Sequence, residues 1–115
     1  MTSGSPSESP LTPVVFHILL ALEESPLHGY AVMKRVEEDA GVSMGPGTVY
    51  GSLQRLQDAG WVEPAEASEE DPRRGRTFRL TRKGRAALRK EAARLTRLAR
   101  LVRRRDLVPE SGGRP

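Results

Sequence analysis

The sequence predicts a mainly α fold with a small β-hairpin wing (α+β): a winged helix-turn-helix followed by one long C-terminal helix. Three observations predict it. Residues 27–39 and 45–60 are two amphipathic segments joined by a short glycine-containing link, the helix-turn-helix pattern. Directly behind them, two extended pieces flank a polar turn, which reads as a hairpin. Residues 82–105 then repeat apolar side chains every seven positions, as a packed helix does. The 115 residues have room for one core. They divide into a disordered tail at 1–10, a helix-turn-helix and wing at 11–81, a C-terminal dimerisation helix at 82–105 and a second disordered tail at 106–115.

Residues 1–10 hold almost nothing to bury. Thr12-Pro13 then reads as an N-cap with proline in the first helical position. Val14, Val15, Phe16, Ile18, Leu19, Leu20 and Leu22 make the first helix apolar nearly all round, so it belongs at the centre of the core. It should stop around Glu23 to Ser25, before Pro26. His17 interrupts the run and reads as a boundary or core histidine. Leu27-His28-Gly29-Tyr30 opens the second helix, which runs to about Asp39, with Tyr30, Met33, Val36 and Ala40 inward and Lys34-Arg35 outward. Gly41 is its stop.

The third helix spans Gly45 to Gly60, with Gly45-Pro46-Gly47 at its entry and Thr48 as a cap. Val49, Leu53, Leu56 and Ala59 lie on one face. The outward face carries Thr48, Ser52 and Arg55 on one stripe and Tyr50, Gln54 and Gln57 on another. A merely solubilising face would be rich in Lys and Glu pairs. Hydroxyls, amides, a phenol and a guanidinium are instead the groups that bond phosphate oxygens and base edges. This helix therefore suits the major groove of double-stranded DNA.

Trp61-Val62-Glu63-Pro64-Ala65-Glu66 leaves that helix extended, and Pro64 confines it to a sheet edge or a bulge. Trp61 reads as core packing at this junction, with contact to a ligand as the alternative. Ser68 to Gly75 is turn chemistry, and Arg76 to Thr81 alternates around Phe78 and Leu80. Arg73, Arg74 and Arg76 at the tip of this wing would approach phosphates or the minor groove. Thr81 caps the last helix. Its seam is Leu88, Leu95 and Val102, with Leu98, Ala92 and Leu101 beside it, and its polar faces are almost all arginine. So many like charges on one helix repel each other, so the stripe needs a partner. The partner is this chain's own core, or the last or first helix of a second copy. A homodimer through Leu88, Leu95, Leu98 and Val102 is the expectation.

Charge is segregated. Residues 1–72 carry three basic and twelve acidic side chains, residues 73–105 carry fifteen basic and one acidic, and the whole chain is +4. A polyanion, an acidic partner or plain solvation answers such a surplus. No cysteine is present, which excludes disulfides and thiolate metal sites and fits a cytoplasmic protein. No 18-residue apolar run or export signal occurs, so no membrane partner is expected. His17 and His28 give no metal spacing, and no glycine-rich phosphate loop or catalytic constellation is visible. Neither an enzyme nor a cofactor is expected.

The order Leu-His-Gly-Tyr-Ala (27–31), Gly-Pro-Gly-Thr-Val-Tyr-Gly-Ser-Leu-Gln-Arg-Leu (45–56), Ala-Gly-Trp-Val (59–62) and Arg-Thr-Phe-Arg-Leu-Thr-Arg-Lys-Gly-Arg (76–85) closely resembles the PadR family of transcriptional regulators. The resemblance covers about Leu11 to Leu88. It implies a repressor, dimeric through its last helix, on a pseudo-palindromic operator, and released by a small aromatic or lipophilic effector. It puts Thr48, Tyr50, Ser52 and Arg55 on the recognition helix, Arg73, Arg74 and Arg76 on the wing, and Lys34 on the preceding helix within reach of phosphate. The chain departs from the family in carrying Thr77-Phe78 where two adjacent aromatics are common. It is also short, with one C-terminal helix that holds no aromatic residue. The residues leave a second reading open: a basic winged-helix protein-interaction module without its own operator.

Overall fold

Thr12 and Pro13 start the first helix as the sequence requires. The Thr12 hydroxyl accepts a hydrogen bond from the Val15 amide at 3.2 Å, and the N–H that proline lacks has no intrahelical partner there anyway. The computed structural model describes residues 10–65 and 76–109. Within them run helix α1 (Pro13–Ala21), strand β1 (Leu27–His28), helix α2 (Gly29–Ala40), helix α3 (Pro46–Asp58), strand β2 (Val62–Ala65), strand β3 (Thr77–Leu80) and helix α4 (Arg82–Arg104). The tail expected at 1–10 lies outside the described residues except for Pro10, as does the tip of the expected hairpin. α1 stops sooner than expected: the Leu22 amide is shared between the Ile18 and Leu19 carbonyls, at 3.1 and 3.2 Å, and the Glu23 amide reaches only three residues back, to Leu20, so the coil tightens and ends.

α1 is the centre of the core, as its all-round apolarity predicts. Ile18, Leu19, Ala21 and Leu22 are buried against Val32 and Val36 of α2, Val49, Leu53 and Leu56 of α3, Trp61, and Leu88 of α4. Each such aliphatic side chain contributes about 1.5–3 kcal/mol when fully removed from water.

The second helix begins later than expected. Leu27 and His28 are extended and pair antiparallel with Phe78 and Thr77, so the hairpin is the larger part of a three-stranded sheet of order β1-β3-β2. The His28 imidazole is the N-cap of α2, its Nδ1 accepting from the Ala31 amide at 3.2 Å. A start at Gly29 turns Gly29, Val32 and Val36 inward. Tyr30, expected inside, is 59 % exposed, and Ala40 is exposed too. Both stripes fit a helical period and both contain Val36; packing against α1 and α3, where Gly29 meets Tyr50, chooses between them.

α3 leaves through Gly60, whose φ of 82° is left-handed. The Trp61 amide bonds to the Leu56 carbonyl at 2.9 Å and the Gly60 amide to the Gln57 carbonyl at 3.0 Å, closing the helix end and burying Trp61 beside Leu56. Pro64 lies on the edge strand β2, opposite Phe78, where its missing donor is tolerated.

α4 is clasped to this exit. The Thr81 hydroxyl donates to the Gly60 carbonyl at 2.6 Å and accepts from the Gly84 amide at 3.0 Å. The Lys83 ammonium donates to the Ala59 carbonyl at 3.1 Å. Gly84 admits the Trp61 carbonyl oxygen where any Cβ would overlap it. Thr81, Lys83 and Gly84 thus hold the end of α3 to the start of α4.

Candidate nucleic-acid interface

The outer face of α3 follows from its packing. Val49, Leu53 and Leu56 are buried, so the opposite side, with Thr48, Tyr50, Gln54, Arg55 and Asp58, is exposed. Thr48 is not the cap: α3 starts at Pro46, Gly45 occupies the cap position, and no side chain caps it. Thr48 stands in the first turn with its side chain open to solvent.

Ser52 is corrected more sharply. Expected on the outward face, it is 1 % exposed. The row Thr48–Ser52–Leu56 runs at i,i+4 along the helix into the core, and only its first member clears the packed surface. Ser52 still bears on the site, because its hydroxyl accepts from Nη2 of exposed Arg55 at 3.3 Å. It is a positioning residue for that guanidinium. Gln57 is half-buried, and the Gln54 amide donates to Asp58 at 3.1 Å.

Tyr50 is 48 % exposed, and its ring is seated on Gly29 so closely that a Cβ there would overlap it. The buried side of α3 therefore fixes Tyr50 through α2, and the free side presents it. Lys34 is exposed on α2, its ammonium 5.9 Å from the centre of the Tyr30 ring. Of the wing arginines, Arg76 is exposed just before β3, and Arg73 and Arg74 lie outside the described residues. Arg79 on β3 is neutralised across the sheet by Glu63 at 2.9 Å.

The expected seam of α4 splits in two. Leu88 is buried in the chain's own core and unavailable to a second copy. Leu95 and Leu101 are half-buried, while Leu98 and Val102 are 43 % and 36 % exposed. Glu91, the single acid of this basic segment, is buried, and both its oxygens accept from Arg94, at 3.0 and 2.6 Å. Those hydrogen bonds raise the Arg94 pKa further above its ordinary value. Beyond the helix, Asp106 takes a left-handed φ of 59° and the Leu107 amide bonds back to the Val102 carbonyl at 3.2 Å, so exposed Leu107 extends the stripe.

The sequence reading missed Tyr30 as a surface group and β1 as a strand. The His-Gly-Tyr run was the available signal: His28 caps, Gly29 seats Tyr50 and Tyr30 points out. Among the described residues no group of three or more His, Asp or Glu could hold a metal, and no helix is long and apolar enough to cross a membrane.

A helix pair with one polar free face, a small sheet behind it and a long helix clasped to the exit define a winged helix-turn-helix protein. Residues 18–90 match the Transcriptional regulator PadR-like family, and the chain belongs to it, a family of transcription regulators rather than of enzymes. The fold matches a PadR family transcription regulator from Clostridium difficile R20291 at a TM-score of 0.70 and 21% identity, over 81% of this chain and 97% of that one. It also matches Bacillus subtilis PadR in complex with operator DNA, at a TM-score of 0.59 and 23% identity, over 70% of this chain and 47% of that one. Identities at that level establish the fold alone. An uncharacterized 37.1 kDa protein in transposon TN4556 of Streptomyces fradiae is 42% identical over 82 residues, which are 71% of this chain and 23% of that protein. The chain thus spans under a quarter of that relative.

Proposed function

We propose that the chain is a sequence-specific DNA-binding repressor that acts as a homodimer on a pseudo-palindromic operator. The observation that carries this reading is the outer face of α3, where Tyr50, Thr48 and Arg55 are exposed and Arg55 is steadied by buried Ser52. Such groups donate and accept toward base edges, and an arginine fork suits guanine. Lys34, Arg76 and, from the sequence, Arg73 and Arg74 supply phosphate contacts. Support for the partner comes from family membership and from the B. subtilis relative that was solved with operator DNA.

The dimer joins the free half of α4, with Leu95, Leu98 and Val102, to the same surface of a second copy; Leu88 now belongs to the core instead. The family resemblance extends the reading to release by a small aromatic or lipophilic effector, and the absence of cysteine fits action in the cytoplasm. The test is selection of bound sites from random duplex DNA by the full chain. A two-fold-symmetric motif is expected. Recovery of no motif, with equal and weak retention of all sequences, favours the basic interaction module and ends this reading.

A further inference from the structure

Tyr30 stands on the first turn of α2, exposed, yet its ring is held. The His28 imidazole lies nearly parallel to it, the centroids 6.4 Å apart and the planes inclined by 16°. The Lys34 ammonium, one turn along, lies 5.9 Å from its centre, within cation–π range. On its other side in the chain is Gly29, the seat of the Tyr50 ring. Two phenols, one from each helix of the helix-turn-helix, therefore flank one glycine, with a cation beside the first. Neither residue is buried: Tyr30 is 59 % exposed, and Tyr50, seated on Gly29, is 48 % exposed. The patch continues the outer face of α3 through Tyr50. Neutral hydroxyl donors beside the Lys34 ammonium are groups that bind a phosphate oxygen.

We infer that Tyr30 and Lys34 together grip the sugar–phosphate backbone of DNA beside the groove that α3 enters, and that Tyr30 donates its hydroxyl to a phosphate oxygen there. This rests on the proposed reading of DNA by α3. The contact is blind to sequence. It fixes where α2, and with it the Gly29–Tyr50 seat, stands on the duplex.

Tyr30→Phe keeps the ring, its stack on His28 and the lysine contact, and removes only the hydroxyl. The full chain and this variant are titrated by fluorescence anisotropy against the duplex recovered by selection and against a random duplex. Tyr30→Phe should weaken both by the same factor, about two- to tenfold, as the loss of one hydrogen bond does. Phosphate-ethylation interference should lose its signal at a phosphate to which the unaltered chain is sensitive. Lys34→Gln should reduce the salt slope by about 0.9, one released counterion, whereas Tyr30→Phe should leave that slope unchanged. Thermal unfolding of both variants should match that of the unaltered chain, since neither removed group is buried. Unchanged affinity and an unchanged ethylation pattern for Tyr30→Phe overturn the inference. A loss confined to the selected duplex overturns it too, since that makes Tyr30 a base reader. If the unaltered chain selects a motif while Tyr30→Phe behaves identically, only this inference falls; if the unaltered chain binds no duplex, the reading of α3 falls with it.

Discussion

α3 and α4 each carry a face that the fold leaves uncovered, and the two faces are chemical opposites. On α3 the uncovered groups are a threonine, a phenol, an amide and a guanidinium around Gly51. On the second half of α4 they are Leu98 and Val102 between exposed arginines. Hydrogen-bonding groups gain little from being dried unless the partner matches them donor for acceptor. Leucine and valine gain from any partner that excludes water. The contrast separates a surface suited to reading a pattern from one suited to pairing. α4 also changes role along its length: Leu88 and Glu91 are buried near its root, and beyond Glu91 none of its side chains is fully buried.

The largest expected effect breaks the root of α4. Leu88→Ala should cost about 2–5 kcal/mol in chemical denaturation, the range for emptying a core leucine site. Leu98→Ala, ten residues on, should leave the stability of the separated subunit almost unaltered. Equal losses at the two positions would erase the division of α4 into a packed and a free half.

Next comes assembly. Leu98→Glu puts a carboxylate into the free stripe through which the dimer is proposed, and should give monomers in sedimentation velocity at concentrations where that proposal expects the unaltered chain to pair. A dimer that survives it places the pairing surface elsewhere. On α3, Arg55→Ala should reduce affinity for the selected duplex by about 1–3 kcal/mol, as expected for a base contact. The same loss on random DNA would make Arg55 a phosphate contact and weaken the claim that α3 reads sequence.

How far each helix was legible follows from how many signals it carries. α3 has a clean apolar period, proline and glycine at its entry and a left-handed glycine at its exit, and the structure keeps all three. α2 lacks an unambiguous start, since histidine is not an obvious cap, and two inward stripes share its period. Its rotation is set by α1 and α3 together, which no local pattern encodes. β1 is two residues long, too short for alternation to register, and it exists because β3 offers it a partner. Ser52 was misassigned because a small hydroxyl on the border of a helix face fits either side; the packing of the row through Leu56 puts it inside. Thr81, Lys83 and Gly84 were visible in the sequence, yet their purpose, holding Ala59, Gly60 and Trp61, is a contact between distant residues. Of the proposed DNA contacts, Tyr50 and Arg55 were legible because a phenol and a guanidinium on a helix face without Lys–Glu pairs stand out, whereas Tyr30 was hidden by its own apolar ring.

The smallest expected effect is the most discriminating for α3. Gly51 sits in the middle of that helix, and a Cβ added there would meet only Arg55 Nη1, at 3.9 Å. The fold therefore has room for alanine, and helical glycine costs roughly 0.5–1 kcal/mol relative to alanine. Nothing within the described residues requires the glycine. A partner that approaches the helix backbone does require it, since a methyl group at the centre of the outer face holds that partner off. Gly51→Ala should thus raise stability by about 0.5–1 kcal/mol in denaturant while weakening binding to the selected duplex, both measured on one preparation. Higher stability with undiminished binding takes the middle of α3 out of the contact and leaves only its ends to read DNA. Lower stability shows that the space above Gly51 is filled from within the chain, and the contrast between the two free faces then loses its first member.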